Sequence, residues 1–243
     1  MTGRLLFLAG ALLLGGGWFV AGHLPARTAL LPGVLQEPEQ TATRERPFDT
    51  RVNGVDYRIK PLFDYDMTGL VVSLHHSDAW WDWIHAATND HINIVDLCVV
   101  WGANADAAAY KKMDFSSGQF ICYYQYGGAA DIQPAHTRAL SNNHLLTDNP
   151  QIARQLRSMR IGDQIRLRGP LVEYSHNAGM AYNRGSSTSR DDTGNGACET
   201  IFVRDATVLR RRAQWPVWMQ RAGVLLLLAA LAAALLQPYR SRH

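Results

Sequence analysis

Two charge-free apolar stretches bracket a polar middle in this chain, residues 5 to 22 and 222 to 236. The first follows Arg4 and rises about 27 Å as a helix, close to the roughly 30 Å hydrocarbon core of a bilayer. It reads as an N-terminal transmembrane signal anchor over residues 1–23. A cleaved signal peptide is the rival, with Ala21 and Gly22 as the small residues before a cut. Gly15, Gly16 and Gly17 either admit a second helix at close range or mark a helix with no partner. The second stretch is too short alone, but Val217 to Tyr239 suffices if Arg221 snorkels to the headgroups, with Trp215, Trp218 and Tyr239 as interfacial aromatics. No polar face recurs at helical spacing there, which excludes an amphipathic helix of a soluble domain. Residues 215–239 are therefore read as a C-terminal transmembrane helix, and 240–243 as a cytoplasmic tail.

Between these segments the period changes. Residues 24–48 carry Pro25, Pro32, Pro38 and Pro47 with no sustained repeat, and are read as a stalk. Alternation around Val52, Val55, Tyr57 and Ile59 predicts a strand over 51–60. Further strands are expected at 69–75, 92–101 and 119–126, with a turn at Phe63 to Asp66. Asp78 reads as the cap of a helix over 78–90 that puts Trp80, Trp83 and Ala87 on a core face, with Trp81 off it. Ile152, Leu156 and Met159 predict a helix over 150–160. Strands follow at 164–174, kinked at Gly169-Pro170, and at 197–209. The expected class is α+β, a β-rich extracytoplasmic domain over 49–214 flanked by two transmembrane helices. Its element order is that of an elaborated OB-like barrel, with a generic α+β sandwich as the alternative.

Composition agrees with a membrane-attached protein. Among 243 residues, 47% are hydrophobic and 19% charged, the latter below the roughly 25% of an average soluble domain. A wholly soluble chain, a polytopic transporter, a coiled coil and a disordered chain are excluded. The net charge of +3 misleads, because Pro25 to Gln214 holds 20 Lys and Arg against 21 Asp and Glu. A neutral domain argues against a nucleic-acid partner. Arg210, Arg211 and Arg212, just before the second apolar segment, point instead to membrane lipid. Arg4, Arg240 and Arg242 favour cytoplasmic termini and Arg27, Arg210 to Arg212 and Arg221 oppose them. Long domains translocate regardless of charge, so the domain is placed outside the cytoplasm of a bacterial inner membrane.

Candidate chemistry gathers in Leu140-Ser-Asn-Asn-His-Leu-Leu146 and in the Gly-, Ser- and Asp-rich run from Ser186 to Thr200. Gly194 and Gly196 permit sharp turns, Arg190 can pair with Asp191 or Asp192, and Glu199 points opposite to Cys198 across a strand. Asn142, Asn143, His144, Arg190, Asp192 and Glu199 are expected to form one polar cluster. A catalytic alternative makes Cys198 a nucleophile, His144 its base and Asp192 the orienting carboxylate. Against it, no helix follows Cys198 to lower its pKa, and Glu199 would raise it. His75, His76, His85 and His91 lie among Asp78, Asp82 and Asp90, yet no His-Glu-x-x-His or Cys-x-x-Cys spacing is present. These histidines are read as solvated or core residues, and neither a metal nor a cofactor is expected. Of the three cysteines, Cys98 and Cys122 lie mid-strand and are the expected disulfide; three reduced thiols are the alternative.

At Ser141 to Leu146 and Asp192 to Thr200 the chain resembles a group of uncharacterised bacterial membrane-anchored proteins, over most of its central region. The resemblance implies extracytoplasmic placement and carries no activity. The expected function is a membrane-tethered binding or scaffolding domain of an envelope complex, partnered by membrane lipid and another envelope protein. A membrane-proximal hydrolase using Cys198 and His144 is the rival.

Overall fold

The computed structural model describes residues 2–21, 23–128, 131–189, 191 and 198–236. The chain divides into two compact units, one built from the terminal helices and one from Pro25 to Arg212. The termini form α1 (Thr2–Ala21) and a long C-terminal helix (Trp215–Leu236). Both are long and apolar enough to cross a membrane.

The two helices pack antiparallel through small residues. Pro216, Gly223 and Ala230 are the buried positions of the C-terminal helix, spaced at one heptad. A side chain at Gly10 would meet Gly223 O at 2.9 Å, and one at Gly17 would meet Pro216 O at 2.8 Å. A repeat of seven keeps one face turned to a partner helix, and small residues there bring the backbones together. Of the three glycines singled out in the sequence, Gly17 makes the close approach, while among the described residues a side chain at Gly16 would meet Met219 alone and one at Gly15 would meet nothing within 4 Å.

The second unit is strand-rich. In chain order its elements are β1 (Glu39–Ala42), β2 (Phe48–Val52), β3 (Val55–His76), α2 (Trp83–Ala87), β4 (Asn93–Val100), α3 (Gly102–Asp106), β5 (Met113–Gly118), β6 (Ile121–Tyr126), α4 (Pro134–Arg138), β7 (Leu140–Leu146), α5 (Pro150–Arg157), β8 (Gln164–His176), β9 (Tyr182–Arg184), β10 (Cys198–Phe202) and β11 (Asp205–Arg210); the C-terminal helix is then α6. The fold is α+β. Hydrogen-bonded neighbours run β3, β4, β7, β10 and β8, and β8 pairs again with β3. The β10–β8 step rests on one register pair, Ile201 with Leu171, and β1, β2, β9 and β11 extend the sheet beyond this path, so it is not a clean barrel. All pairings in the path are antiparallel except β7 with β10, which is parallel. Apolar side chains on the inner face, among them Val71, Leu97, Leu145, Ile165, Leu167 and Ile201, form the main core. At the closure a side chain on Gly169 would lie 2.1 Å from Phe202 O, so only glycine lets the strands meet.

Several expectations are corrected. The strand read over 51–60 is a hairpin, because Asn53 and Gly54 both take positive φ and turn the chain between β2 and β3. The turn read at Phe63 to Asp66 lies inside β3, where pairing with β1 on one side and β8 on the other overrides local turn preference. The helix read over 78–90 shortens to α2, capped by Asp82 and not Asp78. Its buried side chain is His85, and Trp80, Trp83 and Trp81 are exposed at 95%, 68% and 46%. The strand read over 197–209 is two: Val203 N donates to Leu146 O and Arg204 N to Arg168 O as the chain crosses from β10 to β11. Residues 25–48 are not a free stalk, since Leu30 and Val34 are buried, Leu31 N donates to Gln164 Oε1 at 2.7 Å, and β1 joins the sheet.

Replacing Gly223 by Leu is expected to destabilise the helix pair by about 1–3 kcal/mol, because the added atoms meet Leu14 N at 2.6 Å and Gly10 O at 2.8 Å. Gly15→Leu enters open space and should cost little. Unfolding of the full chain in detergent micelles compares the two variants; equal stability would show that the close approach is not maintained.

Candidate functional site

Strand register builds the site. His75 on β3 lies opposite Asp96 on β4, Asp96 opposite His144 on β7, and His144 opposite Thr200 on β10. One step along, Ser73, Cys98, Asn142 and Cys198 form the adjoining row. The residues alternating with these positions, such as Leu97 and Leu145, point into the core, so both rows face outward.

That outer face is covered by the chain between β4 and β7. Hairpin β5–β6 lies over the second row: Ser117 Oγ meets Ser73 Oγ at 2.7 Å, and Cys122 is joined to Cys98 by a disulfide. At its turn Phe120 has a φ of 63°, a conformation uncommon outside glycine. Interactions with its surroundings hold it there. Its N–H donates to Asp96 Oδ2 at 3.0 Å, its carbonyl accepts from Asn142 Nδ2 at 3.0 Å, and its ring lies beneath the Arg184 guanidinium at 3.9 Å. The same ring stacks on His85 at 3.9 Å and stands edge-on to His144 at 5.5 Å.

Beneath this cover runs a continuous chain of hydrogen bonds. His75 Nε2 lies 2.6 Å from Asp82 Oδ2, and His85 Nδ1 lies 2.5 Å from the same oxygen. Asn93 Nδ2 donates to His85 Nε2 at 3.0 Å and to Asp96 Oδ1 at 2.9 Å. Asp96 Oδ1 also binds His144 Nδ1 at 2.7 Å, and Arg184 Nη1 reaches His144 Nε2 at 2.7 Å. Arg184 Nε continues to Tyr182 OH at 3.3 Å, and the hydroxyls of Tyr182 and Tyr174 donate to Asp90 Oδ2 at 3.2 and 2.6 Å.

The ionisation states follow from these partners. Burial, the largest influence on Asp96, works to raise its pKa, and His144, Asn93 and His85 together outweigh it, so the carboxyl lies below its usual range. Asp82 is likewise held low, with burial opposed by the His75 hydrogen bond and by His85. Burial also presses on His144, in the lowering direction, and Asp96 with a hydrogen bond to Cys198 carries it up to about 9. The Arg184 contact works against that charge. A guanidinium nitrogen can only donate, so the 2.7 Å approach to Nε2 requires a neutral imidazole whose Nδ1–H donates to Asp96. The raised pKa and this contact pull the ring in opposite directions, and the contact prevails, because a proton on Nε2 would set two donors against each other at 2.7 Å. Asp90 is the opposite case: burial raises its pKa, and Oδ1 has no hydrogen-bond partner among the described residues. Burial lifts Tyr174 and Tyr182 as well, and the Asp90 charge adds to it.

The outer end of the chain opens on a cleft of about 370 Å³ lined by Tyr182 to Ser187 and Cys198. The polar cluster expected from the sequence is divided between the faces of the sheet. Asn142, His144 and Cys198 share the outer face. Asn143, buried with its Nδ2 on Leu97 O at 3.1 Å, and buried Glu199, register partner of Asn143, lie on the inner one. Arg190 and Asp192 fall outside the described residues, and Asp191 pairs with Arg138 at 2.7 Å. Cys198 is a free thiol, partly exposed. Of the acidic and imidazole residues in the segment 75–91, the structure brings together His75, Asp82 and His85, whereas Asp78 pairs with Arg157 at 2.9 Å. Asp96, Arg184, Asn93 and Phe120 were missed in the sequence. Asp96 alone carried a signal, a charge inside the apolar run Ile94 to Val100, where an ion is kept only if it is paired.

Asp90→Asn is expected to stabilise the domain at neutral pH by about 1–3 kcal/mol, since it keeps an acceptor for the two tyrosines and removes a buried charge. A raised folded-state pKa means that the native state favours the protonated carboxyl. Its contribution is fully present below the ordinary value of 3.8 and is lost as pH rises through the folded value. The gain from the substitution should therefore shrink toward zero in acid. Melting curves of both proteins across pH test this; a variant less stable than the native chain at neutral pH would refute it.

No family model, no curated protein and no solved structure matches this chain.

Proposed function

We propose that the protein is a membrane-tethered, extracytoplasmic binding module of a bacterial envelope complex, and that it recognises an acidic group on its partner in the cleft formed by Arg184 and Cys198. The observation that carries this reading is the contact between Arg184 and His144. The His144 Nε2, the nitrogen a Cys198 thiol would need as base, is engaged by Arg184 at 2.7 Å, so the ring supports the arginine instead of activating the thiol. Arg184 is itself held by Tyr182 and stacked on Phe120, which presets a planar cation beside the cleft at little entropic cost. A hydrolase built on Cys198 and His144 would require that contact to open.

The placement rests on three supports. Both ends of the domain continue into apolar helices, the Cys98–Cys122 disulfide suits an oxidising compartment, and the short apolar N-terminal segment suits export. The path β3, β4, β7, β10, β8 with one parallel pair, and with α5 ahead of β8, supports an elaborated OB-like barrel as the underlying architecture. Reporter fusions active only in the cytoplasm should work after His243 and fail near Asn177. Cytoplasmic activity at position 177 would invert the orientation.

A photo-crosslinking residue at exposed, cleft-lining Asn183 should capture one envelope partner in intact membranes, and the same probe at exposed Asp56 should not. Arg184→Met is expected to reduce capture about tenfold or more, the scale of one charge-assisted hydrogen bond. Equal capture from both positions, or capture indifferent to Arg184, would refute the binding reading. A folded Cys198→Ser variant that loses the cellular phenotype would favour the hydrolase.

A further inference from the structure

We infer that His75, Asp82 and His85 form a binding site for a divalent transition-metal ion, with zinc the ion that the donor set fits best. This is separate from the cleft: it lies at the other end of the hydrogen-bond chain, on β3 and α2. One ligand atom from each of the three residues can be chosen so that all lie within 4.8 Å of one another. All three side chains are at most 2% exposed. Two imidazole nitrogens converge on a single carboxylate oxygen, His75 at 2.6 Å and His85 at 2.5 Å. Two nitrogens and one carboxylate oxygen are a familiar three-ligand set for zinc, with the fourth position left for water or another ligand. Bonds of about 2.0–2.1 Å at tetrahedral angles separate ligand atoms by about 3.3 Å. The two histidines thus need to move off Oδ2 by less than about 1 Å each.

The surroundings are arranged as a metal site requires. Asp82 Oδ1 is occupied by the His85 backbone N–H at 3.0 Å, which as the α2 cap fixes the carboxylate and leaves Oδ2 turned to both rings. Trp81 packs on His75 at 4.6 Å and Phe120 on His85 at 3.9 Å, so both rings are clamped. Asn93 supplies the outer partner. In the present tautomer it donates to His85 Nε2; metal on Nδ1 leaves the proton on Nε2, which then needs an acceptor. The oxygen of that same amide, Asn93 Oδ1, is buried and has no hydrogen-bond partner among the described residues. Rotating the amide presents that oxygen to Nε2–H and gives up the Asn93 bond to Asp96, which retains His144 and Phe120 and has to draw back from the amide oxygen. Each neutral ring only exchanges tautomer, so no net proton is released.

The full chain, purified in detergent, stripped with chelator and then dialysed against zinc, should retain about one ion per chain by elemental analysis. Cobalt in place of zinc should give the visible absorption of a low-symmetry nitrogen–oxygen site. Asp82→Asn keeps the helix cap, because an amide oxygen still accepts from His85 N–H, but removes the anionic ligand; with His85→Gln it should weaken zinc binding more than about tenfold. His76→Gln, one strand position away and on the opposite face, should bind as the native chain does. Absence of retained zinc and of a cobalt spectrum in the native chain would overturn the site without recourse to any variant. Unaltered affinity in folded Asp82→Asn and His85→Gln would place the ion elsewhere and overturn it equally.

Discussion

A fully buried carboxylate, Asp96, sets the terms for one face of this domain. An ion removed from water is tolerated only with a partner and with its remaining lone pairs satisfied, and here the demand is met from four directions. His144 arrives from the neighbouring strand, Asn93 from the start of its own strand, the Phe120 N–H from a distant hairpin, and Arg184 closes the chain behind His144. Removing Asp96 would leave Phe120 without the bond that holds its positive φ and His144 without the acceptor that keeps its proton on Nδ1 and turns Nε2 to Arg184. The segment from β4 to β7 is therefore organised by electrostatics as much as by apolar burial.

The disulfide and the charge network reinforce one another. Cys98 lies two residues beyond Asp96 on β4, so both face outward, and the bridge to Cys122 presses the hairpin onto the row adjoining the one that Asp96 belongs to. A hairpin of two short strands is marginal by itself in water. Stapled at Cys122 and hydrogen-bonded at Phe120, it becomes a fixed lid over the histidines, and its exposed Ile121, Tyr123 and Tyr124 stay outside. The terminal helices solve a different problem. Pairing through Gly10, Gly17 and Gly223 needs no polar contact and so suits an apolar medium, where close packing replaces the hydrophobic effect between helices.

Local pattern made part of this legible. The absence of charge over two long stretches is a property of composition and needs no fold to interpret. Alternation and apolar runs located β4, β6, α5 and β8 to within a few residues, because a strand or amphipathic helix declares itself over its own length. Cys98 and Cys122 stood out as mid-strand positions. Where neighbours override local preference the reading failed, at the turn-like Phe63 to Asp66 within β3 and at Trp80 and Trp83 beside α2, which face water and not the core.

What the sequence by itself determined was two terminal segments long and apolar enough to cross a membrane, an α+β domain rich in strands, and the residue types available to a site. The tertiary structure alone decided which of them meet. His75, Asp96, His144 and Thr200 are scattered along the chain and become neighbours only through the register of four strands, one of them parallel. Register carries a period of two, so a slip of one residue would send His144 into the core and bring Asn143 out. It is set by the sum of pairings across the sheet and by no single segment. For that reason Asn143 and Glu199, adjacent in sequence to His144 and Cys198, end on the opposite face, while Asp82 and Arg184, remote from each other in the chain, end on one hydrogen-bonded path.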